Sequence, residues 1–352
     1  MAGWTNNDRP PVPQGAVGAA RGERGIVPCP QDEHRGEKNG VPSLPAGMFF
    51  CALGGAVASS ALSFVGPAFV GYGYLSVAPA GGLRARVACA VAALVPAVAL
   101  SLSSGVSVTL AAVVACLVVL AVCELTAARR LTPGAVCAVV GVAALALIGA
   151  DELAARASGT TLAAGMDALL DAYRQELGAL VGAAGQVQAV LSVVGLLWPV
   201  AYVIAAAASC ASASLGALVA ARRSGGALAR PPRLAEFDLP LWVVAVFVAS
   251  VAGIALALSV DGPVSQVALA VSANVAMSVR FALAVQGLAV LSWVVRDKGL
   301  GPVGSALAAA VALYLEVQFV VLTIAGLVDV WANFRHLARG GAPDAADQSM
   351  QD

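Results

Sequence analysis

The stretch Ser265–Val295, SQVALAVSANVAMSVRFALAVQGLAVLSWVV, is long and apolar enough to cross a bilayer, yet it carries Asn274, Arg280 and Gln286 at mid-depth. A guanidinium is permanently charged, and near a bilayer centre it costs a few kcal/mol or more, so it must face protein, water or a counter-charge rather than lipid. At 100° per residue the three polar side chains point about 120° apart. The pattern therefore predicts a helix wrapped by protein on all sides, the hub of a bundle. Composition agrees, because 60% hydrophobic and only 11% charged residues place the chain outside the soluble globular range. The expected fold class is all-α, a polytopic transmembrane helical bundle of about eight to ten membrane segments.

Residues 1–45 alternate Pro, Asn, Asp, Glu and Arg without apolar periodicity. They cannot bury enough surface to offset chain entropy, and a disordered cytoplasmic tail is expected there, with a second short tail over 337–352. No apolar segment opens the chain, so no signal peptide is expected. Between the tails, a transmembrane domain over 46–336 contains apolar blocks at 47–65, 67–80, 86–104, 107–128, 133–150, 188–220, 239–260, 265–295 and 302–334. Block 67–80 is short and follows Pro67, which predicts a half-span or a hairpin with the first helix. Block 188–220 holds Trp198-Pro199 and should kink or tilt strongly. Block 302–334 is too long for one comfortable crossing, and a pair of short helices is favoured, although no Gly or Pro marks a turn between Ser305 and Ala325.

The positive-inside rule orients these blocks. Arg84, Arg86, Arg129, Arg130, Arg222, Arg223, Arg230, Arg233, Arg296 and Lys298 all fall in connections expected to be cytoplasmic. The 151–187 connection, with Asp151, Glu152, Asp167, Asp171 and Glu176, is then external. Within it Met166, Leu169, Leu170, Tyr173, Leu177, Leu180 and Val181 repeat at i, i+3, i+4, i+7, which predicts an amphipathic helix near 162–183. It lies along the outer interface or lids an outward cavity, and its negative charge disfavours binding to anionic lipid heads.

Chemistry has few places to reside. Arg280 and Glu316, each near the middle of an apolar block, are expected to neutralise one another across two helices, since a lone charge in hydrocarbon costs far more than a pair. With Asn274, Gln286 and Gln318 they form the candidate solute-binding set. Glu124 lies one turn from Arg129 and Arg130 and reads as a snorkelling helix terminus. Asp329, Asn333 and His336 share a helical face, while Asp329 and Arg335, six residues apart, point differently and should not pair within one helix. No HExxH, GxSxG or GxxxxGK[ST] is present, so no catalytic residue is assigned and no enzyme is expected. The seven scattered cysteines lack a CxxC and the two histidines are peripheral, so neither a metal nor a cofactor is expected. The formal charge is zero, with 20 Lys and Arg against 20 Asp and Glu, and suggests no nucleic-acid partner.

Three C-terminal segments carry a resemblance. Glu236-Phe-Asp-Leu-Pro-Leu-Trp242, Val285-Gln-Gly-Leu-Ala-Val290 and Gly326-Leu-Val-Asp-Val-Trp-Ala-Asn-Phe-Arg335 resemble the signature segments of the YybS-like family, bacterial integral membrane proteins of unknown function. The resemblance covers Phe237 to Arg335 and, by layout, the earlier spans. Such proteins are distantly similar to the substrate-capturing S components of energy-coupling-factor vitamin transporters. The resemblance implies a multi-pass protein of the bacterial cytoplasmic membrane, surrounded by membrane lipid, that captures a small solute and works with a membrane coupling subunit and an ATPase. In those S components a first-helix Ala-x-x-x-Ala contacts the coupling subunit, a spacing matched by Ala52 and Ala56. Asp329 and Arg335 in the closing segment are further candidate partner contacts. Two functions remain open: solute binding or transport, with a cavity between 133–150, 188–220, 265–295 and 302–334, and a non-transporting scaffold whose polar core is structural.

Overall fold

A computed structural model describes residues 43–60, 62–178, 184–224, 228–260 and 262–337. Residues 1–42 and 338–352 of the expected tails, with Cys29 and His34, and Leu180 and Val181 of the amphipathic stretch lie outside the described residues, whereas Leu44 and Pro45 of the first tail already belong to a helix. Among those described the fold is all-α, a polytopic helical bundle, and seven helices are long and apolar enough to span a membrane. The chain is thus a multi-pass membrane protein.

Helix α1 (Leu44–Val57) pairs with the first half of α2 (Gly66–Ser101) through small residues. A Cβ at Gly47 would meet the Gly73 carbonyl, and one at Gly54 the Gly66 carbonyl, so the two backbones touch along their length. Gly55 meets Ala93 just as closely. A straight α2 would hold Ala93 about 40 Å from Gly66 at 1.5 Å per residue. The chain instead doubles back at Gly82, whose φ of 66° and ψ of −160° are open to glycine alone. Block 67–80 is therefore the expected hairpin partner of the first helix, and α1 sits between the two halves of α2.

Helix α3 (Val106–Ala127) and α4 (Pro133–Ala157) follow, the latter opened by Thr132, whose hydroxyl accepts from Ala135 N at 3.2 Å. The amphipathic helix α5 spans Leu162–Gly178. Its start is fixed by Glu152 on α4, which accepts from Leu162 N at 2.9 Å. At Trp198-Pro199 the chain breaks rather than bends, into α6 (Ala184–Leu197) and α7 (Val200–Arg223), because Pro199 has no N–H to continue the ladder. Then come α8 (Leu241–Ser259) and α9 (Pro263–Asp297). The last block is two helices, α10 (Pro302–Phe319), itself long and apolar enough to span a membrane, and the shorter α11 (Val321–Ala332).

One expectation fails here. The main buried cluster, with Cys51, Val70, Cys89, Val119, Val122 and Cys210, joins α1, α2, α3 and α7, not α9. On the first half of α9, Val264, Val267 and Val271 are 80, 65 and 58% exposed. The helix is not wrapped on all sides. Its polar residues are instead met one by one, each by a different neighbour. A smaller cluster, Leu239, Val243, Val244, Leu283 and Val330, ties its second half to α8 and α11.

Candidate functional site

Arg280 and Glu316 do meet. Arg280 Nη2 lies 3.3 Å from Glu316 Oε1 and 3.4 Å from the Glu316 carbonyl, with side chains 29 and 13% exposed. The carboxylate has a second task. Its oxygens accept from Thr323 N at 2.9 Å and Thr323 Oγ1 at 2.7 Å, so Glu316, at the end of α10, satisfies donors in the first turn of α11. Between the two helices Val320 adopts φ 58° and ψ 30°, left-handed space that a β-branched residue rarely enters. The sequence contains no turn former at this point. The break is held by Glu316 and Arg280 rather than by local preference. Val320→Gly, which removes the Cβ penalty, is expected to raise the melting temperature in detergent by an amount equivalent to about 1 kcal/mol. An unchanged or lower melting point would show that Val320 bears no strain there.

Gln286 belongs to a separate cluster. Its Oε1 accepts from Leu239 N at 3.1 Å, while its Nε2 donates to Asp329 Oδ2 at 2.9 Å and Asp238 Oδ1 at 3.3 Å. Arg335 closes the set, donating through Nη2 and Nε to Asp329 Oδ2 at 2.7 and 3.2 Å and through Nη1 to the Ala235 carbonyl at 2.8 Å. Both side chains of this ion pair are 0% exposed. The pairing corrects the expectation that Asp329 and Arg335 point apart. That expectation assumed one continuing helix, whereas α11 ends at Ala332 and Asn333 turns left-handed at φ 45°, folding Arg335 back onto Asp329. The reversal also places Phe334 N 3.1 Å from Asp329 Oδ1. The segments 236–242, 285–290 and 326–335 converge on this knot.

Asn274 serves the break at Pro199. Its Nδ2 donates to the Leu196 carbonyl at 2.7 Å, an acceptor at the C-terminus of α6, and to Ala270 O at 2.7 Å. Among the described residues its buried Oδ1 has no hydrogen-bond partner. Gln318 is exposed on α10, away from Arg280's polar contacts. Ala52 and Ala56 are half-buried, and Ala52 lines an apolar groove of about 700 Å³ with Met48, Val87 and Val91. A cavity of about 570 Å³ lies beneath the apolar face of α5, lined among the described residues by α5, α6, α7 and Trp198 between the last two. It is apolar and does not include Arg280, so it is not the four-segment cavity that the block layout predicted.

Two interhelical ties escaped the sequence reading. Glu124 is not a snorkelling terminus: it accepts from Tyr74 Oη and, at 3.0 Å, from Arg86 Nη1, joining α3 to both halves of α2. Asp151 accepts from Ser107 Oγ and, at 2.5 Å, from Tyr202 Oη, joining α4 to α3 and α7. Tyrosine hydroxyls at helix ends were the available signal, since a phenol inside an apolar bundle needs a partner.

No protein-family model matches the chain, and neither a curated protein nor a solved structure matches it.

Proposed function

We propose that this chain is a solute-binding, transport-related protein of the bacterial cytoplasmic membrane, similar in role to an S component. The observation that carries the reading is the helix break between α10 and α11, where a guanidinium and a carboxylate meet at the start of a short helix within apolar sequence. Discontinuous helices and intramembrane charges of this kind are where transporters hold solutes and coupling ions. Arg280 has five N–H donors and only part of them are engaged by Glu316 and by Met277 Sδ at 3.8 Å. The remainder suit a solute with a carboxylate or similar oxyanion. The groove beside Ala52, open along Val87 and Val91, supports docking of a helix from a coupling subunit, with a separate ATPase supplying energy.

The test combines binding and stability. Native mass spectrometry of the protein purified in mild detergent is expected to show a retained small anion that is lost in Arg280→Gln. Arg280→Leu and Glu316→Leu should each cost about 2 kcal/mol, with the double variant more stable than their sum predicts. A protein that retains no solute, with additive losses at the two positions, would sink this reading. The buried Asp329–Arg335 knot supports a second reading, a membrane scaffold whose polar groups serve one another. In that case Arg280→Gln changes melting behaviour and leaves bound small molecules unaltered.

A further inference from the structure

A charged cavity lies apart from Arg280. It has a volume of about 440 Å³ and sits between the α3–α4 turn and the connection after α7, lined by Thr126, Arg129, Leu131, Leu228, Arg230 and Pro232. Two arginines from distant parts of the chain face one space, and among the described residues no carboxylate lines it. Among the described residues neither guanidinium has an ion-pair or hydrogen-bond partner. The carboxylates in the neighbouring elements are engaged elsewhere, Glu124 by Arg86 and Tyr74, and Glu236 by Arg233 N at 3.4 Å.

Both arginines are exposed, and the backbone fixes where each leaves its wall. Arg129 ends α3 in left-handed space, φ 55°, with Arg129 N on Thr126 O at 3.0 Å and Arg130 N on Leu125 O at 2.8 Å. Glycine is the usual occupant of this helix-ending position, and a long side chain there is disfavoured. On the opposite wall Arg230 precedes Pro231 and Pro232, which restrict the backbone to an extended path. Leu228 anchors that wall against Leu75, Ala217 and Ala220, and Leu131 is buried at the base of the other.

The geometry points to an anion site here, one that takes the oxyanion of a phosphate group. Guanidinium forks pair with phosphate oxygens through two parallel N–H bonds, and basic pockets between helices on the arginine-bearing side of a membrane recruit anionic headgroups. The phosphate comes either from a lipid headgroup in that leaflet or from a free phosphate compound.

The full-length protein in neutral detergent is titrated with phosphatidylglycerol, phosphatidylcholine and inorganic phosphate, and followed by native mass spectrometry and thermal melting. Phosphatidylglycerol should bind and stabilise, phosphatidylcholine should do neither, and the double variant Arg129→Gly, Arg230→Gln should weaken binding roughly thirtyfold. Arg129→Gly suits the left-handed backbone, so this variant separates lost charge from lost fold; Arg230→Gln alone should weaken binding roughly fivefold. Arg296→Gln with Lys298→Gln, outside the cavity, should leave it unchanged. Binding of inorganic phosphate with the same dependence on Arg129 and Arg230 assigns a free phosphate, and binding of the lipid alone assigns the headgroup. The proposal is overturned by equal binding of the two lipids, by an unaffected double variant, or by an equal loss in the Arg296 and Lys298 control.

Discussion

Asp329→Ala is expected to lose most of the folded protein in detergent, at a cost of about 3–5 kcal/mol. The carboxylate is the closest counter-charge to Arg335 and accepts from Gln286 and Phe334 as well, and the side chains of the ion pair are fully buried. Alanine leaves a buried guanidinium with Asp238 Oδ1 at 3.8 Å as its nearest remaining carboxylate. Asp329→Asn should be nearly as damaging, because shape is kept while the charge is not. Replacing the set together, Asp329→Leu with Arg335→Met and Gln286→Met, should recover much of the loss, since a packed apolar cluster can equal a buried ion pair. Size-exclusion profiles and melting curves read the outcome directly. An Asp329→Ala protein that melts like the unaltered chain would show that this carboxylate does not neutralise Arg335.

Gly287→Ala and Gly326→Ala should each cost about 3 kcal/mol, an unusually large penalty for one methyl group. A Cβ at Gly287 would lie 2.0 Å from the Leu322 carbonyl oxygen, and one at Gly326 2.0 Å from the Leu283 carbonyl oxygen. Backbone cannot swing aside as a side chain does, so α9 and α11 must separate. That movement stretches the Gln286–Asp329 bond, which sits one turn away. Gly141→Ala on α4 provides the control: nothing lies within 4 Å of the added atom, and the change should be neutral or stabilising by up to about 1 kcal/mol. Melting temperatures for Gly287→Ala or Gly326→Ala matching that of Gly141→Ala would refute the close approach of the two helices.

How far the chain could be read in advance depended on whether a residue's need was local. An arginine and a glutamate inside apolar blocks demand neutralisation wherever they lie, and the Arg280–Glu316 contact follows from that demand. Pro199 announced a break because it lacks a donor, although its missing bond proved enough to end the helix outright. Val320 gave no warning, since the residue that breaks the last block is among those least suited to do so, and the cause lies in Glu316 four residues earlier. Asn333 was legible in principle, as asparagine tolerates left-handed space, but its consequence for Arg335 required knowing that the helix stopped there. The position of the core was misjudged for a different reason. Polar residues on α9 showed that it has neighbours, whereas close packing of α1, α2 and α7 depends on small residues that are common throughout this chain.

The reversal at Asn333 also bears on how the protein is made. Leu239, Gln286 and Asp329 all leave the ribosome before Arg335, so until that arginine emerges the newly inserted α11 carries Asp329 without the guanidinium that lies 2.7 Å from it in the folded protein. A polypeptide interrupted just upstream of position 335 is expected to keep its last helix loosely seated in the translocon or bilayer, recognisable to membrane proteases. Emergence of Arg335 and docking of α11 are thereby linked.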